Sequence, residues 1–302
     1  MKYMLLLVTI LMLGCGTGQS PIKQDASNQS NSTQVPKTSK QLNLTVLLDL
    51  SDRIDPQKNP DKPEHYERDS TLLSYFSDYF LSEMNAKGSY LSKGKMRVIF
   101  HPNPQDPNIY KEAAKLNIDL SKMNIKSKKN IYDSLKNTVS KSIHYIYSTA
   151  LNNNTWPGSD IWRFFKNDVK DVAVETDSNY RNILVIFTDG YIYHSESKDK
   201  EGNRYTYILP ELFDSYKLRN NSKWSDKMDK LDFGLIVKRS DLSDLEVLVL
   251  EIAPSSKHKN DEDIIRKIID KWFTEMKVKR WKIINSDLPD LTKQKIEFFL
   301  KN

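Results

Sequence analysis

The chain of 302 residues contains a single cysteine, Cys15, and only nine glycines. One cysteine excludes an intrachain disulfide and paired Cys-x-x-Cys motifs, so the fold must be stabilised by its hydrophobic core. No glycine-rich loop of the phosphate-binding kind is present. The five histidines are scattered and lack the spacing of metal ligands. The usual sequence signs of nucleotide-dependent enzymes and zinc proteins are therefore missing.

No apolar run is long enough to span a bilayer, which needs roughly 20 residues. The run at residues 3–13 follows Lys2 and suits the apolar region of a signal peptide. It ends at Gly14-Cys15, which is similar to the lipobox of bacterial lipoproteins, whose cysteine is lipidated after cleavage. Residues 1–15 are thus predicted to be a lipoprotein signal peptide with Cys15 as the lipidation site. A plain secretory signal with an incidental cysteine is the alternative.

Residues 16–41 are rich in Gln, Ser, Asn, Thr and Lys and have almost no large apolar side chain. Such a segment buries too little surface to offset its ordering entropy, so we predict a flexible tether. The domain proper is expected at residues 42–302, anchored by lipid in the bacterial cell envelope. The formal net charge of +6 favours an anionic partner or a membrane surface, but only weakly.

Two apolar runs that end in an aspartate stand out, at residues 44–53 (LTVLLDLSDR) and 183–190 (ILVIFTDG). A continuous apolar run of this kind fits a strand that is buried on both faces. Strand and helix patterns alternate along the rest of the domain. Further strands are predicted at 95–101, 245–252 and 280–284, and helices at 65–87, 130–151, 261–276 and 289–300. The order predicts an α/β fold with a mostly parallel central sheet and helices on both faces.

Asp49 and Asp189 follow the two apolar runs directly. Open α/β sheets bind ligands at the carboxyl ends of their strands, so both carboxylates are expected at one site. Ser51 adds a hydroxyl two residues after Asp49, and Gly190 permits a tight turn beside Asp189. Oxygen ligands of this kind suit a hard divalent cation such as Mg²⁺ or Mn²⁺.

The pattern of DxSxx after the first strand and TDG after a later strand resembles the von Willebrand factor A-type domain. The resemblance extends over most of the chain, from about residue 42 to residue 302. It implies a doubly wound fold with a metal-ion-dependent adhesion site, in which Asp49, Ser51 and Asp189 are ligands. It also implies a protein-binding and usually non-catalytic role, in which a carboxylate of the partner completes the metal shell.

Two positions depart from the family motif. Arg53 stands where the second serine is expected, and the alignment puts Lys129 at the threonine of the second loop. Neither side chain can ligate a cation, and their charges would stand in for the metal by pairing with the two carboxylates. The motif therefore leaves two alternatives open, a metal site and a degenerate site without metal.

Residues 191–243 form an insertion that is long for a connection between strands. Alternation at 191–195 and 204–209, with a polar turn between them, predicts a β-hairpin above the site. Its aromatic residues are typical of interfaces, so it is a predicted partner-binding surface. The tyrosines expected there are Tyr191, Tyr193, Tyr205 and Tyr207. The alternative is that these rings cover one another as a small satellite core.

The sequence thus predicts a membrane-anchored protein-binding module, an adhesion or scaffold protein rather than an enzyme, with no nucleic-acid partner. The alternative is a metal-assisted hydrolase that uses Asp49, Asp52 and Asp189, with His194 as general base. A third possibility is a structural component of the envelope whose site has decayed. Arg53 and Lys129 favour this third possibility over the hydrolase.

Overall fold

The computed structural model describes residues 40–301 except 255–257 and 259. The predicted signal peptide with Cys15 and nearly all of the predicted tether therefore lie outside the described residues. Every described helix and strand belongs to one compact unit, residues 40–302. Within the part of the chain that is described, no helix is both long enough and apolar enough to cross a bilayer.

Strands and helices alternate along most of the chain. The strands are β1 (Gln41–Leu48), β2 (Lys95–Phe100), β3 (Ile118–Asp119), β4 (Tyr180–Phe187), β5 (Lys200–Glu201), β6 (Arg204–Tyr205), β7 (Gly234–Leu235), β8 (Leu245–Ile252) and β9 (Arg280–Asn285). The helices are α1 (His65–Leu91), α2 (Pro107–Ala114), α3 (Ile125–Asn153), α4 (Ile161–Asn167), α5 (Val169–Ala173), α6 (Pro210–Ser215), α7 (Trp224–Lys230), α8 (Asp261–Glu275) and α9 (Pro289–Lys301).

The main sheet has six strands in the order β3-β2-β1-β4-β8-β9. All pairs are parallel except β2 with the short edge strand β3. The predicted α/β fold with a mostly parallel central sheet is therefore confirmed. We call the side where β1, β4 and β8 end the carboxyl edge, and the side where they begin the amino edge.

Helices cover both faces of the main sheet. One face packs against α1, α2, α3 and α9, and the other against α4 to α8. The central strands contribute to both cores because their side chains alternate: in β4, Ile183 and Val185 face one core and Leu184 and Ile186 the other. This explains why β1, β4 and β8 read as continuous apolar runs in the sequence.

The insertion carries a small separate sheet of three strands in the order β5-β6-β7. β5 and β6 form an antiparallel hairpin around Gly202 and Asn203, and a single bridge joins Ile192 to Ile208 further down. The predicted β-hairpin of the insertion is therefore present, although its regular strands are shorter than the alternating pattern indicated. β6 also pairs with β7, and Tyr193 forms a single bridge with Ser159.

The long helices run between the two edges of the main sheet. α1 follows β1 and ends where Gln41 Nε2, at the start of β1, donates to Leu91 O at 3.1 Å, so it runs from the carboxyl edge to the amino edge. α3 runs the opposite way: its first turn reaches the amino edge, where Lys128 Nζ donates to Ser92 O at 2.6 Å. Asn124 begins α3 by accepting from Ser127 N at 2.9 Å.

Candidate functional site

The order of the strands reverses between β1 and β4. β2 lies on one side of β1, whereas β4, β8 and β9 follow on the other side. In doubly wound sheets this switch point opens a crevice at the carboxyl edge, where ligands bind. The pairing of Leu48 with Phe187 brings the ends of β1 and β4 level, and Asp49 N donates to Phe187 O at 3.1 Å. Asp49 and Thr188 are therefore neighbours across the switch point.

The carboxylate of Asp49 is only 3% exposed and is held by two donors. Ser51 N donates to Oδ1 at 2.8 Å, and Thr188 Oγ1 donates to Oδ2 at 3.1 Å. The first contact closes the turn after β1 and places the side chain of Ser51 on the same turn as Asp49. The second joins the two strands at the site itself. Each carboxylate oxygen keeps a lone pair for a further contact.

Asp189 lies beside Asp49 and is half-buried. Its Oδ1 accepts from Tyr191 N at 2.9 Å. Burial, followed by the negative charge of Asp49, raises the pKa of Asp189 from 3.8 to about 7. The two acids therefore converge as predicted, close enough for their charges to act on each other.

Gly190 allows the chain to turn sharply after Asp189. Its φ of +99° is a conformation that residues with a side chain rarely adopt. A Cβ at this position would lie 2.7 Å from Ile265 Cγ2 and 3.1 Å from Ile252 Cδ1. Because α8 and the end of β8 pack so closely against residue 190, only glycine fits there. This packing fixes the loop that carries Asp189.

Arg53 does not pair with the carboxylate of either Asp49 or Asp189. Its Nε donates to the main-chain oxygen of Asp49 at 3.0 Å, and its Nη2 donates to Asp69 Oδ2 at 2.5 Å. Tyr147 O–H donates to the same oxygen of Asp69 at 2.6 Å. Burial alone would lower the pKa of Arg53, but the charge of Asp69 outweighs it and raises the pKa above the ordinary value. Arg53 therefore stays charged and links the turn after β1 to Asp69 of α1.

A second buried group lies at the same edge around Glu251, at the end of β8. Its Oε2 accepts from Ser286 Oγ at 2.7 Å and lies 3.2 Å from Arg68 Nε and 3.8 Å from His65 Nδ1. Glu251 has a φ of +70°, where the register between β8 and β9 is interrupted. The charge of Glu251 also acts on Asp69. Two buried groups of opposite charges, one around Asp69 and one around Glu251, thus join α1 to the carboxyl edge of the sheet.

Lys129 lies at the other end of the molecule. It is exposed on the first turn of α3, next to Lys128, which contacts the amino edge. About 28 Å of helix, at ~1.5 Å per residue, separates Lys128 from Tyr147 at the carboxyl edge. The prediction that Lys129 stands beside Asp49 is therefore wrong, because α3 begins at the amino edge and only its later turns approach the site. Arg53 does not form the predicted ion pairs with the two carboxylates, because Asp69 binds its guanidinium, although its charge still lowers the pKa of Asp189.

The hydrolase alternative adds Asp52 and His194 to the two acids, and both have other partners, although the charge of Asp52 also acts on Asp189. Asp52 is exposed and binds Lys58 Nζ at 2.8 Å, and the side chain of His194 lies 3.5 Å from Asp160. Among the described residues, no three His, Cys, Asp or Glu side chains are grouped as a metal cluster. The Asp49–Asp189 pair would thus rely on hydroxyl groups, water or a partner for the remaining ligands of a cation.

The tyrosines of the insertion contact mainly one another. The rings of Tyr205 and Tyr207 are 5.2 Å apart, and Tyr193 meets Tyr207 at 6.4 Å with Lys198 Nζ over both. Tyr205 is 5% exposed and its hydroxyl lies 2.8 Å from that of Tyr216. The prediction of a partner surface is therefore wrong for Tyr205, which belongs to the core. Tyr191 is half-buried at the base of the insertion, where its N–H binds Asp189.

The polar atoms at the switch point suit a hard divalent cation. Asp49 and Asp189 supply two carboxylates, and Ser51 and Thr188 supply two hydroxyl groups on the same two loops. This is an all-oxygen set of the kind that Mg²⁺ and Mn²⁺ prefer. Burial, and after it the nearby charge of Asp49, raises the pKa of Asp189, and a bound cation would offset both effects.

Sequence reasoning missed the supporting residues Thr188, Asp69 and Glu251. Thr188 lies inside the TDG tripeptide, but nothing in the sequence marks its contact with Asp49. Asp69 is three residues before Leu72 and four before Leu73, so it lies on the apolar face of α1. A charged residue on such a face was the available signal for a buried ion pair. Its partner, Arg53, could not be identified without the fold.

Neither a model of a known protein family, nor a curated protein, nor a solved structure matches this chain.

Proposed function

We propose that this protein is a membrane-anchored binding module of the von Willebrand factor A type, which engages a protein partner through a divalent cation at the carboxyl edge. Asp49, Ser51, Thr188 and Asp189 hold the cation. A bound Mg²⁺ or Mn²⁺ supplies open coordination positions, and a carboxylate of the partner takes one of them. The lipid anchor at Cys15 belongs to the same proposal and rests on the sequence alone.

One observation carries this proposal: two carboxylates meet at the switch point, and within the described residues no cationic side chain pairs with either. The degenerate alternative required cations that form ion pairs with these two acids. Arg53 is committed to Asp69, and Lys129 lies at the opposite edge. The charge of Arg53 lowers the pKa of Asp189 from a distance, but neither acid has an ion-pair partner of its own, and this favours a cation as the missing component.

The surrounding residues explain how the loops keep their geometry. Arg53 ties the turn after β1 to Asp69 of α1, and Tyr147 of α3 fixes the same carboxylate. Gly190, which has no side chain, lets the loop of Asp189 pack closely against α8. These contacts fix the two loops that carry the four oxygen-bearing side chains before a ligand arrives, which lowers the entropy cost of binding.

The test is partner capture by crosslinking of the intact, lipidated protein in its own membrane, with Mg²⁺ or with EDTA. We expect a crosslinked partner with Mg²⁺, and its loss both in EDTA and in the double variant Asp49→Ala/Asp189→Ala. Asp52→Ala is the matched control, because Asp52 is an exposed acid on the same loop that binds Lys58 instead. Capture that survives the double change would place the binding surface elsewhere.

A further inference from the structure

The amino edge of the sheet carries a patch that the proposed cation site does not use. Tyr90 is 80% exposed, Leu91 62% and Ile125 58%, which is unusual for large apolar side chains. Exposed lysines surround them. The amino-edge patch consists of Tyr90, Leu91 and Ile125 together with Lys40, Lys93, Lys126 and Lys129.

Hydrogen bonds place these residues side by side. Gln41, at the start of β1, donates to Leu91 O at 3.1 Å and accepts from Lys93 N at 2.8 Å. Lys128 Nζ donates to Ser92 O at 2.6 Å and so joins the first turn of α3 to the end of α1. Ile125 is three residues before Lys128 and hence on the same side of α3.

The charge of the patch is positive and largely uncompensated. No ion pair joins Lys40, Lys93, Lys126 or Lys129 to a carboxylate within the described ranges. Asp119, a carboxylate at this edge, is already shared between Lys95 and Lys122. Burial, followed by the charge of Lys93, lowers the pKa of Lys128, as expected where lysines crowd.

Exposed apolar and aromatic side chains within a ring of lysines are the composition of surfaces that lie on anionic bilayers. The covalent connection to residues 1–39 also leaves the domain here, because Lys40 directly precedes β1. Cys15 is 25 residues before Lys40, so a lipid at Cys15 would keep this edge within reach of the membrane.

We infer that the amino-edge patch docks on the surface of an anionic phospholipid bilayer. Tyr90, Leu91 and Ile125 enter the interface, and the lysines contact the headgroups. The carboxyl edge, about 25 Å away at ~3.3 Å per strand residue, then faces away from the membrane. Docking orients the cation site toward partners, but the docking itself does not depend on the cation site.

The test uses residues 40–302, which contain every described element and carry no lipid. Sedimentation is measured with vesicles of phosphatidylcholine alone or with about 30% phosphatidylglycerol. We expect binding to the anionic vesicles only, and its loss at about 0.5 M salt. Each lysine contributes roughly fivefold, so Lys93→Gln/Lys126→Gln/Lys129→Gln should weaken binding about 100-fold.

Matched controls separate the patch from general charge and apolarity. Lys223→Gln/Lys230→Gln/Lys282→Gln removes the same charge from exposed lysines elsewhere and should change binding less than threefold, ~0.6 kcal/mol. Tyr90→Ser/Leu91→Ser/Ile125→Ser should weaken binding at least tenfold, roughly what lost apolar burial implies, whereas Leu288→Ser/Leu291→Ser should not. Circular dichroism of each variant checks its fold.

Three results would overturn the inference. They are no binding to anionic vesicles, equal binding to both vesicle types, and equal losses in the patch and control variants. Asp49→Ala/Asp189→Ala should bind vesicles as the unmodified domain does. A loss of vesicle binding in that variant would assign the membrane contact to the carboxyl edge and contradict the patch, whereas loss of partner capture alone leaves it intact.

Discussion

Asp189→Asn should abolish one pH-dependent contribution to stability in the metal-free protein. The folded state holds a proton on Asp189 up to about pH 7, whereas the unfolded chain releases it near 3.8. Because the folded pKa is raised, the stability of the protein falls as the pH rises from about 4 to 7 and is flat above that. Asparagine cannot ionise, so this fall disappears in the variant.

The magnitude follows from the two pKa values. A shift from 3.8 to about 7 corresponds to a ceiling of about 4 kcal/mol, at ~1.4 kcal/mol for each pH unit. Asp189 is only half-buried, and water screens part of its repulsion from Asp49, so we expect about 1–3 kcal/mol between pH 5 and pH 8. Asp189→Asn should therefore be more stable than the unmodified domain at pH 8 by that amount.

The assay is urea denaturation of residues 40–302 at several pH values in EDTA. Asp226→Asn, at an exposed position of α7, is the control and should follow the unmodified curve. Added Mg²⁺ should stabilise the unmodified domain at pH 8 and leave Asp189→Asn nearly unchanged, because a ligand stabilises only the state that binds it. Parallel curves for the unmodified domain and Asp189→Asn from pH 5 to 8 would refute the reasoning.

Other substitutions test the frame of the site. Arg53→Ala should cost about 3–5 kcal/mol in urea denaturation, because it leaves Asp69 buried without its cation; a cost below ~1 kcal/mol would contradict this pair. Gly190→Ala should cost about 2–5 kcal/mol through its positive φ and contact with Ile265, and a neutral effect would contradict the required turn. Thr188→Val should weaken Mg²⁺ binding about tenfold or more in calorimetry, and unchanged affinity would exclude Thr188 from the site.

The fold was predictable because β1, β4 and β8 are buried on both faces and so appear as apolar runs. The convergence of Asp49 and Asp189 followed from the same pattern, since parallel strands end at one edge. Strand order was not predictable, because nothing local in the sequence states that β4 rather than β2 continues the sheet beyond β1.

The charges around the site were mispredicted for a physical reason. Alignment to the family motif put Arg53 and Lys129 near the acids, but the direction of each element and the burial of its charges decide which charges meet. Arg53 points away from the two acids because Asp69 offers a buried carboxylate, and Lys129 lies at the amino edge because α3 begins there. The tyrosines of the insertion pack together for a similar reason: Tyr205 covers Phe233 and Tyr216.

The central claim is a divalent cation held by Asp49 and Asp189, and calorimetric titration of residues 40–302 with Mn²⁺ at pH 7.5 tests it most directly. We expect one saturable site, with affinity that falls at least tenfold in Asp49→Asn and in Asp189→Asn, and far less in Asp52→Asn. Absence of saturable binding, or equal affinity in all three variants and the unmodified domain, would contradict the account.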